Sequence, residues 1–318
     1  MIDPRRHAAR VLAALAAAAF LVSCGGSDDD PPPQPAFGQV TYVFGASTSD
    51  TGNTCNLNSA SCKPTPPYAT GRYTDGQVFA EIVAARYGAA VTPSRTGGNN
   101  FAYGGARTGP IAGTPTQAVP NMVTQLDQYF ARVNFVSSAN ALFIVDATTV
   151  GNDITDALTL AQTNPNAPAT VLTGAVTNIV TIINRLYASG ARHIFVANSA
   201  DVGKTPLAQT LGPAGAAGAT QLSAQFNGGL AQQIAQIRAA SPGLSIYVLD
   251  VFALNSEVIA NPAALGFTNV TAPCFNDLVA PTPPLCATPA TYFYWDSFHP
   301  TATTHNLAAQ RAVAVIGR

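Results

Sequence analysis

Five residues of this chain could together carry an acyl group from an ester to water. Ser47 ends the run Gly45-Ala46-Ser47, Gly105 ends the run 100–105 (NFAYGG), Asn152 sits between Gly151 and Asp153, and Asp296 stands three residues before His299 in 296–300 (DSFHP). A serine hydroxyl is a poor nucleophile until a base can take its proton. His299 is the candidate base, because the spacing lets Asp296 hold one ring nitrogen while the other faces Ser47, fixing tautomer and orientation. The other three histidines serve less well: His7 lies in the N-terminal leader, His193 opens an interior strand and His305 falls within the last helix. The developing oxyanion needs fixed donors, each worth roughly 3–4 kcal/mol. The Asn152 amide, the Ser47 N–H and the N–H of Gly105 or Gly104 are the candidates, since nothing on a glycine Cα blocks a close approach.

Taken singly, each segment has a plainer reading. Ser47, Ser49 or Asp50 could cap a helix, Asn152-Asp153 could be a turn or a helix start, the glycine pair a flexible loop, and His299 a loop histidine beside a capping Asp. Their occurrence together, in this order, argues for serine chemistry. Asp50 is read as a cap or loop hydrogen-bonder, Asp153 as a support for the Asn152 turn, and Asp201 as structural.

The elements that must position these residues alternate. Residues 39–45 (QVTYVFG), 141–147 (ALFIVDA), 193–198 (HIFVAN) and 245–251 (SIYVLDV) are short β-branched and aromatic runs, which predict buried strands. Helical patterns are expected over 78–87, 122–131, 173–189, 222–240 and 302–316, with Gly190 a C-cap and Pro242-Gly243 a stop. Strand–helix alternation with continuously apolar strands predicts a parallel sheet covered on both faces. In such a sheet, sites form at the carboxyl ends of strands. Ser47 follows the first strand and Asn152 the second, so both fall on that edge.

These segments resemble the SGNH, or GDSL-type, hydrolases. Ser47 matches the family's nucleophile block, Gly105 its second block, Asn152 its third, and Asp296 with His299 its fifth. The resemblance implies an α/β fold, a flavodoxin-like three-layer α/β/α sandwich with a mostly parallel sheet, and a Ser-His-Asp esterase or lipase that forms an acyl-enzyme and needs no metal or organic cofactor. It covers residues 40–317. The stretches 47–53 (STSDTGN) and 100–106, with 200–206 (ADVGKTP) and Phe226-Asn227, are closest to a subgroup of exported bacterial esterases and lipases. Two positions depart from the pattern: Ala46 stands where Asp is usual, and Val150 where Gly is usual. A β-branched residue resists the positive φ that glycine allows, with Gly151 next in line to supply it. These departures motivate one alternative, a catalytically silent surface binding protein on the same fold. A carbohydrate O-acetylesterase is the other.

The N-terminus carries Arg5, Arg6 and Arg10, then an apolar run over 11–22, then Ser23-Cys24-Gly25. A basic region and an apolar core too short to span a bilayer describe an export signal. Leu21-Val22-Ser23-Cys24 resembles the bacterial lipobox, which makes residues 1–24 a lipoprotein-type signal and Cys24 the lipidated, membrane-anchored residue; the alternative is an ordinary secretory peptide with an incidental cysteine and a secreted protein. Gly25 after that cysteine points, by the same analogy, to the outer membrane of the cell envelope. Residues 25–37, rich in Pro and Asp, read as a tether, and 38–318 as one hydrolase domain, expected to be monomeric. Charged residues make up 10% of the chain and net charge is −1, which gives no electrostatic case for nucleic acid. Setting Cys24 aside, Cys55, Cys62, Cys274 and Cys286 remain. An even count in an exported chain favours two disulfides. Proximity suggests 55–62 and 274–286, with the other pairings open. No histidine stands at metal spacing from these cysteines, which argues against zinc. Phe101, Tyr103, Phe275, Tyr292, Phe293, Tyr294, Trp295 and the Pro-rich 281–284 are candidates for lining an acyl or aryl pocket.

Overall fold

The four apolar runs become four strands, β1 (Thr41–Phe44), β2 (Leu142–Asp146), β3 (His193–Ala197) and β4 (Ser245–Leu249), in a computed structural model that describes residues 37–114, 116–279 and 283–317. They pair in chain order and all in parallel. On the other side of β1, Val43 forms a parallel bridge with Asn100, its N–H donating to Asn99 O (3.2 Å) and its carbonyl accepting from Phe101 N–H (2.8 Å). Counting that bridge as a vestigial strand, the spatial order is 2-1-3-4-5, the flavodoxin-like order.

Strand side chains alternate between faces, and each face has its own core. The helices are α1 (Phe79–Arg86), α2 (Met122–Val133), α3 (Val150–Ala161), α4 (Ala167–Ala188), α5 (Gly212–Ala240), α6 (Val251–Ala260) and α7 (Ala302–Ile316). Phe143, Val145, Ile194 and Val196 bury against α2, α3, α4 and α5. Leu142, Ile144, Phe195 and Ala197 bury against α1 and α7. The result is a three-layer α/β/α sandwich. A second sheet of two short parallel strands, β5 (Asn269–Pro273) and β6 (Tyr292–Tyr294), packs on α6 through Leu254, Val258, Phe267 and Phe293.

The helices α4 and α5 begin earlier than their apolar periodicity. Each has a proline in its first turn, where the missing N–H costs nothing, and the opening turns of α5 are Gly and Ala with no stripe to read. The proposed signal over 1–24, the Cys24 anchor point and all of the tether but its last residue lie outside the described residues. That last residue, Phe37, is buried, its ring stacked 3.7 Å from the His193 ring. The cysteines pair as proximity suggested, Cys55 with Cys62 and Cys274 with Cys286, at Cα separations of 4.5 and 4.8 Å. Two disulfides fit an oxidising compartment outside the cytosol.

Candidate active site

The turn after β1 is built by close packing of two strand ends. A Cβ on Gly45 would lie 2.8 Å from Asp146 Cβ, so only glycine lets β1 and β2 converge there. Gln125 on α2 fixes the same residue from both sides, accepting from Gly45 N–H and donating to Gly45 O, each at 2.9 Å. Asp146, fully buried at the end of β2, accepts from the hydroxyls of Thr48 (2.7 Å), Ser49 (2.6 Å) and Thr148 (2.6 Å). Burial pushes its carboxyl above the ordinary range, and these donors pull it part of the way back. Ser47 is thus carried on a turn braced from beneath by a carboxylate and hydroxyls. Ala46 is buried against Tyr103 and Ala106, in a small apolar cluster.

The Asp296–His299 turn follows β6 and meets Ser47 directly. His299 Nε2 lies 2.8 Å from Ser47 Oγ, and Nδ1 lies 2.8 Å from both carboxylate oxygens of Asp296. Asp296 Oδ1 also accepts the N–H groups of Phe298 (2.9 Å) and His299 (2.7 Å), while Oδ2 accepts the Tyr68 hydroxyl at 2.8 Å. Burial alone would raise this carboxyl. The charge of His299 and the converging hydrogen bonds outweigh it and hold the group at about 2, so it is a carboxylate at any working pH.

The candidate donors lie on the loop after the Asn100 bridge and on α3. Gly104 N–H donates to Asp50 Oδ2 at 2.9 Å, whereas no acceptor within the described residues takes the N–H of Gly105. Gly105 has φ +76° and open space where a Cβ would stand, while a Cβ on Gly104 would strike the Tyr73 ring. Asp50 is a loop hydrogen-bonder as expected, capping the short helix Asn53–Leu57 through Gly52, Asn53 and Thr54 N–H. Asn152 lies in the first turn of α3 and donates to Ala106 O at 2.7 Å, which leaves its second amide proton for another acceptor. Asp153 ties α3 to the same loop through Thr108 N–H and Oγ, both at 3.1 Å, and burial pushes its carboxyl up to about 7. Asp201 accepts from Gly203 N–H and Thr220 Oγ, a structural role. The expected strain at Val150 is absent: its φ is −57° and it opens α3 as an ordinary helical residue. What is tight there is Gly151, where a Cβ would come within 2.9 Å of the Phe298 ring.

Ser47, His299 and Asp296 are therefore brought into one hydrogen-bonded line. Asn152 joins the Gly105 loop at Ala106, and Tyr103 N–H joins that loop to Gly45 O at 3.3 Å. Of the aromatic candidates, Phe101 and Tyr103 are core, and Phe275 and Trp295 pack on Tyr68 beside the Cys274–Cys286 bridge. Tyr292 is only half-buried at the edge of that same cluster. Phe293 and Tyr294 line an apolar cavity of about 100 Å³, which also touches Thr48, Gly151, Phe298 and Leu254. His305 borders it too. Burial and then the charge of His299 push His305 down to about 3, and its Nδ1 accepts the Phe79 N–H at 3.2 Å. Sequence reasoning missed Tyr68, Gln125 and Asp146. Only Asp146 carried a signal, as an acid ending an apolar strand on the edge where sites form.

The chain is similar to known esterases and lipases. The family described as GDSL-like lipase/acylhydrolase matches residues 42–312. One GDSL esterase/lipase of Arabidopsis thaliana is 29% identical over 88% of this chain and 91% of its own length, and another is 26% identical over 84% and 83%. Among solved structures, a lipase from a goat rumen metagenome is 12% identical and aligns over 88% of this chain and 99% of its own, with a TM-score of 0.47.

Proposed function

The chain belongs to the GDSL-like lipase/acylhydrolase family and is a carboxylic ester hydrolase, and from that premise we propose that it works by covalent serine catalysis. Ser47 Oγ attacks the ester carbonyl as His299 Nε2 takes its proton, and Asp296 holds the imidazolium that forms. The oxyanion rests on the N–H groups of Ser47 and Gly105 and on the Asn152 amide. His299 then gives its proton to the leaving alcohol. Water, deprotonated in turn by His299, hydrolyses the acyl-enzyme. The observation that carries this reading is the 2.8 Å contact of His299 Nε2 with Ser47 Oγ while Nδ1 is held by a buried carboxylate.

Val150 in ordinary helical geometry and Ala46 in an apolar cluster give no reason for a silent site. Within the family, the stretches 47–53 and 100–106 support membership of the exported bacterial subgroup. The Cys24 motif supports a lipid anchor in the cell envelope that holds a monomeric domain near lipid esters.

Hydrolysis of p-nitrophenyl acetate, butyrate and octanoate, with labelling by a fluorophosphonate, tests the proposal. Label on Ser47 and turnover of at least one ester are expected, and absence of both from the folded protein would remove it. If the Asn152 amide meets the oxyanion, Asn152→Ala should lower kcat by roughly 10²–10³ with little change in KM. An unchanged kcat would take Asn152 out of the oxyanion site.

A further inference from the structure

Asp296 and His299 stand on a turn between β6 and α7 that no long element carries, yet the carboxylate must keep one orientation for the imidazole to keep its own. Two segments hold that turn, one closed by a disulfide and one that leaves a disulfide. Asp277, inside the Cys274–Cys286 loop, accepts from Ser297 N–H (2.9 Å) and Oγ (3.1 Å). Residues 62–76, which begin at the Cys55–Cys62 bridge, cross the other side. Thr74 Oγ donates to Pro300 O at 2.9 Å, Asp75 accepts Ala302 N–H at 2.7 Å, and the Tyr73 ring lies 5.2 Å from the His299 ring.

Tyr68 lies in the middle of this second loop and is 3% exposed. Its ring stands edge-on to Trp295 (5.7 Å, 85°) and Phe275 (5.5 Å, 81°), so its rotamer is fixed by packing. Oδ1 of Asp296 is held by two backbone N–H groups besides the imidazole. Oδ2 has, among the described residues, only the imidazole and the Tyr68 hydroxyl. A carboxylate rotates readily about its last torsion. Without the phenol, one lone pair of a buried charge would be unmet, and the plane of the carboxylate would be fixed from one side only. We propose that Tyr68 is a positioning residue for the hydrolytic reaction, locking the Asp296 carboxylate plane so that His299 Nε2 stays aimed at Ser47. Burial first, and then the negative charge of Asp296, keep the phenol protonated and therefore a donor.

This inference rests on the serine mechanism proposed above. Tyr68→Phe is isosteric and keeps the ring packing, so thermal unfolding should change little. The expected result is a fall in kcat of about tenfold with KM within about twofold, since loss of the whole Asp function costs about 10⁴. The low-field proton resonance of His299 Nδ1–H should move from its wild-type position, a readout that packing alone would not shift. An unmoved resonance with unchanged kcat, or a higher KM with kcat kept, would overturn the role. A wild-type protein that hydrolyses no ester would remove the esterase mechanism instead, and the resonance would still decide whether Tyr68 orients Asp296.

Discussion

Alanine at Ser47 or at His299 is expected to lower kcat for ester hydrolysis by about a millionfold, and the double variant by no more than either alone. The two side chains share one proton across a 2.8 Å contact, so removing either removes the same step. What remains in each variant is binding and the oxyanion donors, which on their own still leave a rate above that of water. Steady-state kcat for p-nitrophenyl butyrate in the two single variants and the double one checks this. A double variant slower than both singles by a further large factor would show that the residues act independently. The two singles should differ in stability. Ser47→Ala removes one oxygen from a braced turn. His299→Ala strips Asp296 of the partner that holds its carboxyl at about 2. A carboxyl depressed below its unfolded value, about 3.9, adds stability above that pH and loses it as pH falls toward 2. Without the imidazole, burial acts unopposed by that charge, so His299→Ala should unfold at lower temperature than Ser47→Ala at neutral pH.

The sheet was legible because most of its strand residues are buried on both faces and so read as nearly continuous apolar runs. The second sheet was not: β5 is polar and ends in Pro273, and β6 has only three residues, so neither shows a period. The helix α3 was legible only at its start. Its first turn is the Asn152 segment, whose Gly-Asn-Asp composition signals a turn as readily as a helix start, and the positive φ expected at Val150 is one that a helix start does not need. Asp296 and His299 could be singled out in sequence because the chain has few histidines and a single Asp-x-x-His at its C-terminal end. By residue chemistry alone Gly104 and Gly105 were equivalent, and only the family resemblance pointed to Gly105. What separates them is Asp50, more than fifty residues upstream, which consumes one N–H and leaves the other. Tyr68 lies 228 residues from Asp296, and no local pattern could announce a contact made only when the segment after Cys62 closes on the turn after β6. Phe37 shows the same limit at a boundary: a lone aromatic after a polar, Pro-rich stretch reads as linker until a ring is found to receive it.

Asp296→Asn, which changes one atom, is expected to cost about 10⁴ in kcat while the fold persists. The backbone N–H groups of Phe298 and His299 both point at Oδ1, so an asparagine must place its carbonyl oxygen there. Its amide nitrogen then takes the place of Oδ2, between His299 Nδ1 and the Tyr68 hydroxyl. Nδ1 also lies 2.8 Å from Oδ1, but the two backbone N–H groups take both lone pairs of an amide oxygen there, so Nδ1 is left to the amide nitrogen, which can only donate. The imidazole proton is thereby driven to Nε2, which turns an N–H toward Ser47 Oγ and can no longer accept its proton. Tyr68 adapts, since a phenol can accept as well as donate, and Tyr68, Trp295 and Phe275 keep their packing. Thermal unfolding and kcat measured together check the argument. A variant that is folded and within about tenfold of wild type would mean that the tautomer of His299 is not set by residue 296, because a wrong-tautomer imidazole should cost about a thousandfold more than that.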